Sequence, residues 1–509
     1  MSFALLMSAA GVAQATTFTV VSSDDPTPAG CTPTHCSLRE AIAAANADTS
    51  APQTIDFAIP GAGPHTLNVT SQLPAITRST TIDGFSQAGT ATNTNSPDQG
   101  GLNAVLQIEI VGAGGFGFIV GTSNGISVTV QGLAMHGFST PIAGAGGNGG
   151  SSQLNVFGNY LGTTIDGASL GASPGNTGSD ISCANSPIQI GGQQAWQRNL
   201  ISGSGGAAIS IGGPAIVEGN LIGTDASGTL PIANGITGNN AAITISTYYA
   251  PIRIGGALPA SRNVISGNHT WAISVGAPSG IANHDGLEIK GNNIGTDWSG
   301  LQGLPNGYEN PLYAQYGGGI QLANAGSDPN PATIGGFGAG EANLIAYNRG
   351  AGISVTYNTA GENFDNRGNA IHHNRGVGGT NVDIGAFGKT PNDADDADSG
   401  ANGVQNYPEI LSSSQSGDQL TVTYVVDTAT TNATYPLRID FYADVQGGSG
   451  ELLAEDFYAL SDAQQPRTVT LNLPAGAKAI PFVAAATDAN GRSSEFSPAA
   501  DVIFENDFE

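Results

Sequence analysis

The chain has 509 residues, 75 of them glycine and 39% apolar, and its 40 acidic side chains against 14 basic ones leave a formal charge of −26. A surface of that sign repels nucleic acid and anionic membranes, so neither is expected as a partner, and it suits cation binding. No segment after the N-terminal fifteen residues approaches the roughly 18 apolar residues of a membrane-spanning helix, and the glycine follows no three-residue collagen period.

Residues 1–15, "MSFALLMSAAGVAQA", carry a short apolar run that ends on Ala13-Gln14-Ala15. That small-x-small ending is the kind cleaved on export, so a signal peptide is expected there. Export permits a small disulfide loop between Cys31 and Cys36, which leaves Cys183 as a buried small apolar residue. The stretch "CTPTHCSLREAIAAAN" (31–46) predicts a short amphipathic helix. Ser37 and Glu40 are spaced as a capping box, and Leu38, Ala41, Ile42 and Ala45 make one apolar stripe. In a chain this poor in helical pattern, the helix reads as an N-terminal cap over open strand edges.

From about residue 150 the chain repeats itself. "NVFGNYLGTTIDG" (155–167), "AIVEGNLIGTDASG" (215–228) and "LEIKGNNIGTDWSG" (287–300) are variants of one block. Each is followed by "IQIGG", "IRIGG" or "ATIGG", then by "RNLISG", "RNVISGN" or "ANLIAYN", then by "AAISI", "WAISV" or "AGISV". Alternation over three to five positions points Val156, Val217 and Ile289 inward and Phe157, Glu218 and Lys290 outward. Short strands, glycine turns and recurrent asparagine at a fixed period predict an all-β solenoid, a right-handed parallel β-helix over residues 16–400. Roughly 12 to 16 rungs of about 4.8 Å are expected, with asparagine amides stacked in a ladder.

The third unit carries an aromatic insertion, "DWSGLQGLPNGYENPLYAQYGGG" (297–319). Sugars stack their C–H faces on rings, so Trp298, Tyr308, Tyr313 and Tyr316, with Glu309 for hydroxyl groups, are candidate polysaccharide contacts. A polysaccharide lyase needs a base and a cation, and Lys290, Arg253, His284 and Asp297 are the groups best suited to those roles. Asp225 and Asp297 recur after Ile-Gly-Thr, however, where an aspartate commonly closes a turn. His372 and His373 are adjacent in "NAIHHNRG", and successive strand residues face opposite ways, so a shared ion is not expected there.

The acidic stretch at 390–410 offers Asp393, Asp395, Asp396, Asp398, Asn402 and Glu409 as oxygen ligands. Calcium is the expected ion at this junction (401–409), in no EF-hand arrangement since no helix flanks it. No organic cofactor is expected. Residues 410–503 alternate over longer strands and predict an immunoglobulin- or fibronectin-like β-sandwich, followed by an acidic aromatic tail at 504–509.

The "CSLREAI…AN" cap, the "GNxIGTDxxG" and "RNxISGN" blocks and "TPNDADDADSGANGVQNYPEI" together resemble secreted bacterial right-handed parallel β-helix proteins of the pectin-lyase-like superfamily, over roughly residues 31–410. The resemblance implies fold, capping and a secreted or cell-surface location. It carries little about activity, since the "GHG", "WIDH" and "QDT" signatures of the enzymes sharing this fold are missing and only "GTD" occurs, at 223–225 and 295–297. A polysaccharide-binding surface protein is therefore the leading expectation, a lyase or hydrolase of acidic polysaccharide the alternative, and an adhesin-like rod the third.

Overall fold

The computed structural model describes residues 16–26, 30–50, 52–121, 125–144, 152–172, 175–184, 186–246, 251–276, 286–323, 331–355, 364–473 and 481–504. The expected signal segment, His284, Asp285 and residues 505–509 of the tail lie outside these.

Short strands separated by glycine turns cannot bury a face alone, so they wind into a parallel β-helix with three sheets. The first sheet runs over 11 strands from Thr16–Val20 to Phe364–Arg367. The second runs from His65–Val69 to Ala370–His372, and the third takes nine strands from Phe116–Ile119 to Val382–Ile384. Among the described residues the first sheet's eleven strands are fewer than the 12 to 16 rungs expected, and at about 4.8 Å per step the sheet is about 48 Å long. The difference is chain taken up at the corners, as in residues 84–107 and 295–319, between a strand of one sheet and a strand of the next.

Inside, each sheet stacks like on like. Ile190, Val217, Ile254, Ile289 and Ile334 lie in register on the first sheet, and Ile181, Ile209, Ile243, Ile273, Ile320 and Ile353 on the third, all fully buried. Two buried amide ladders hold the corners. Along one, the backbone N–H of Asn159, Asn199, Asn220, Asn263, Asn292 and Asn343 each donates to the Oδ1 of the next, ending at Asn369. Along the other, Asn234, Asn268, Asn306, Asn348 and Asn374 each pass an Nδ2–H to the next, ending on Asn381. The Gly-Gly turns fit against the first ladder. Gly255 has φ +80°, and a Cβ there would lie 2.1 Å from the Lys290 carbonyl oxygen and 2.5 Å from Asn292 Oδ1. Only glycine takes both the left-handed backbone and that approach.

Val156, Val217 and Ile289 point inward, but the outward residues are not all on a free surface. Glu218 is 3% exposed, because the corner segment Pro259–Ser261 covers it and Ser261 Oγ donates to it at 2.9 Å.

The helix Leu38–Ala47 lies against the strands Thr16–Val20 and Gln53–Phe57, its capping box formed by Ser37 and Glu40. Leu38, Ala41, Ile42 and Ala45 join the core, and Arg39 is buried in a bidentate pair with Asp25 at 2.7 and 2.9 Å. Cys31 and Cys36 form a disulfide beside it, and Cys183 is buried.

At the far end the second sheet continues antiparallel through Ser449–Tyr458, Leu437–Asp444 and Phe482–Thr487. A four-stranded sheet, Arg467–Asn472, Gln419–Val425, Glu409–Ser416 and Ile503–Phe504, antiparallel except that Ile503–Phe504 runs parallel to Glu409–Ser416, completes an immunoglobulin-like sandwich. Leu420, Val422, Tyr424, Leu437, Ile439, Phe441 and Phe482 form its core.

Candidate functional site

The aromatic insertion leaves the second sheet after Asn293–Ile294 and rejoins the third at Ile320–Ala323. It folds through a short helical turn, Pro311–Tyr316, which Asn310 caps by accepting from Leu312 N–H at 3.1 Å. Proline at the first position suits such a start, since its missing N–H would have had no partner. The turn sets three rings in a row. Tyr308 and Tyr313 have centroids 5.8 Å apart, Tyr313 and Tyr316 are 6.4 Å apart, and Tyr308 meets His269 edge-on at 4.9 Å. Tyr308 Oη donates to Asn239 Oδ1 at 2.7 Å, which fixes the first ring; burial raises its hydroxyl pKa.

These rings wall a cavity of about 540 Å³, lined by Asn239, Trp271, Tyr308, Tyr313, Tyr316 and Gln321. Tyr313 and Tyr316 stay half exposed, while Trp271 is 5% exposed at its floor. None of the six carries a charge. The lining comes from three consecutive rungs: Asn239 precedes the strand Ile243–Ile245, Trp271 precedes Ile273–Gly276, and the tyrosines precede Ile320–Ala323. Gln321 faces outward and accepts from Ser274 Oγ at 3.2 Å. In register behind Ser274 stand Thr244, Ser210 and Ser182, a half-buried file of hydroxyls leading up to the cavity.

Of the residues expected to bind sugar, the structure brings Tyr308, Tyr313 and Tyr316 together and leaves Trp298 and Glu309 outside the lining. Trp298 packs instead on a cluster of Tyr160, Leu200, Leu221 and Val264, over Gly228. Glu309 is 89% exposed and pairs with Arg349 at 3.5 Å. Asn239, Trp271 and Gln321 were not singled out. Trp271 left a trace, since it stands where Ala207, Ala241 and Ala351 stand in other units. The next rung makes room for it with Gly318, whose Cβ would lie 2.7 Å from the Trp271 ring.

The groups considered for catalysis are dispersed and already paired. Arg253 meets Glu218 at 3.3 Å, and Lys290 meets Glu288 at 3.0 Å and Glu341 at 3.4 Å, both on the first sheet. Asp297 lies on the corner after the second sheet and accepts from Ser299 Oγ at 2.7 Å and Gln302 N–H at 3.3 Å within its own turn. His284 is outside the described residues.

The six oxygen ligands expected at the acidic junction also divide. Carboxylate oxygens of Asp393, Asp396 and Asp398 lie within 4.8 Å of one another. Asp396 is buried and accepts from Asn406 N–H, Gln405 Nε2 and Thr428 Oγ1, and burial pushes its carboxyl up to about 7. One buried oxygen of Asp393, Oδ1, has no hydrogen-bond partner. The other three are engaged elsewhere. Asp395 accepts from Gln464, Asn402 is buried between Phe364 N–H and the Ser493 carbonyl, and Glu409 accepts from Asn392. Three clustered carboxylates fit a hard divalent cation in part, short of the six or more oxygens calcium takes.

His372 and His373 do not face opposite ways as adjacent strand residues would. The strand ends at His372, and His373 has φ +56°, which swings its ring to the same side.

Fold and groove together define a β-helix protein with a lateral cleft whose described lining is aromatic and uncharged. Comparison with protein-family models and with curated proteins finds no match to the chain.

Proposed function

We propose that this is an exported β-helix protein that binds a neutral polysaccharide in the Tyr308–Tyr313–Tyr316 groove. The observation that carries the reading is the lining of that cavity: among the described residues, four aromatic rings and two carboxamides, with no ionised group. Rings supply flat apolar faces for pyranose C–H groups, and the amides of Asn239 and Gln321 supply hydroxyl partners without demanding a charge. A uronate polymer would instead bring negative charge to a chain of net −26 with no cation among the described residues that line the cleft. The hydroxyl file from Ser182 to Ser274, stepping at the rung spacing, supports a chain lying along the rod axis.

The Cys31–Cys36 disulfide suits an oxidising, extracellular setting. With the capped N-terminus and the repeat blocks, it supports a bacterial cell-surface or secreted protein of the pectin-lyase-like kind. Calcium at Asp393, Asp396 and Asp398 belongs to the same reading; a melting temperature unmoved by chelator would remove it.

Affinity electrophoresis through gels holding neutral glucans, mannans or galactans, and in parallel pectate or alginate, tests the groove. Retardation by a neutral polymer, weakened at least tenfold in Tyr313→Ala and Tyr316→Ala, is expected. Tyrosine-dependent retardation by uronates alone would retain glycan binding and overturn neutrality. No retardation by any polymer would sink the binding reading.

A further inference from the structure

We propose that His372 and His373 form a two-imidazole seat for a divalent transition-metal ion, with copper(II) or nickel(II) favoured over zinc. The two Nδ1 atoms lie 2.8 Å apart. This convergence depends on backbone that side chains rarely adopt. His373 has φ +56°, and across the rung Tyr347, next after Ala346, the register partner of His372, has φ +62°. Left-handed residues of this size are uncommon and concentrate where the surrounding structure holds them for a purpose. Here Tyr347 stacks on the His373 ring, with centroids 4.9 Å apart and planes at 27°, and meets His372 edge-on at 6.2 Å. Both imidazoles are thereby fixed in orientation while remaining partly open to solvent.

The spacing chooses among metals. With metal–nitrogen bonds of about 2.0–2.1 Å, two nitrogens 2.8 Å apart subtend about 85° at the ion. That is the right angle of tetragonal or octahedral coordination, favoured by copper(II) and nickel(II). A tetrahedral zinc site would hold the nitrogens about 3.3 Å apart. Imidazole is a fitting donor for all three, and copper leads the affinity order. Among the described residues, no group of three or more His, Cys, Asp or Glu includes this pair. The remaining positions would go to water. Without an ion, the same 2.8 Å contact is a hydrogen bond between one protonated and one bare Nδ1.

The test is a titration of the full chain with copper(II) in a calcium-containing buffer, which keeps the carboxylates at 393–398 supplied with a harder ion. Affinity is read by calorimetry and ligand identity by the nitrogen hyperfine pattern of the copper resonance. His372→Ala removes one donor, and His373→Asn removes the other with a residue that tolerates left-handed backbone. One copper with nitrogen coupling, bound at least tenfold more weakly in each variant while their melting curves stay cooperative, is the expected result. Copper retained at full affinity in both variants, or no copper bound by the parent chain, overturns the site. Zinc binding more tightly than copper overturns the geometric assignment.

Discussion

Arg438 Nη2 donates to Asp365 Oδ1 at 2.9 Å, and that contact joins the sandwich to the last strand of the first sheet. The same nitrogen also donates to the Asn366 carbonyl at 2.8 Å. Nε reaches both oxygens of Asp440 at 3.1 Å, and the guanidinium stands over the Phe337 ring at 5.0 Å. Both carboxylates are buried. Arg438→Met should therefore leave Asp440 without a cation and Asp365 with Arg367 alone, and destabilise by about 3–5 kcal/mol, read by chemical denaturation. A loss under about 1 kcal/mol would mean the two parts are held together by other contacts.

Asn220 sits mid-ladder, accepting from the Asn199 backbone and side chain and donating to the Ile190 carbonyl and Asn263 Oδ1. Asn220→Ala orphans several buried groups at once, for an expected cost of about 2–4 kcal/mol. The midpoint of urea unfolding measures it, and an unchanged midpoint would show that the ladder is ornament.

Asp180 is fully buried. One oxygen accepts from Asn176 Nδ2 at 2.7 Å and the other has no partner, and burial pushes its carboxyl up to about 8. Because the folded-state pKa is raised, the native protein binds this proton where the unfolded chain has released it. Its stabilising effect is full below pH 4 and is lost as pH rises toward 8. Asp180→Asn should flatten that fall, by up to about 1.4 kcal/mol per pH unit. Parallel stability-against-pH curves for parent and variant would refute this.

Trp271→Ala restores the residue that other units carry at this position. The fold should be kept, with a melting temperature within a few degrees, while retention on neutral glycan drops at least tenfold. If retention is unaltered, the groove floor has no part in binding.

The repeats disclosed the β-helix because inward Ile and Val stacks and asparagine ladders must recur at every rung, and recurrence shows in sequence. Tyr308, Tyr313 and Tyr316 were legible for the opposite reason, as an insertion that breaks the repeat. Asn239 and Gln321 were not. Their nearness to the tyrosines depends on which rungs stack in register, and corner length hides that. The burial of Glu218 under Ser261 was equally invisible, since alternation says which way a side chain points and not what lies above it. His373 misled because alternation holds only where the backbone stays extended.

The bond from Tyr308 to Asn239 spans two rung steps, and this limits how such a chain can vary over generations. Where units touch through the stacked isoleucines and ladder asparagines, duplication or loss of a unit leaves matching surfaces on both sides. Between residues 239 and 321 an added unit would part the tyrosines from their amide and open the cleft. A unit gained or lost inside that interval costs the cleft, and one between residues 100 and 195 would part Asn93 from Ala195 and Arg198 from Asn95 and Gly100.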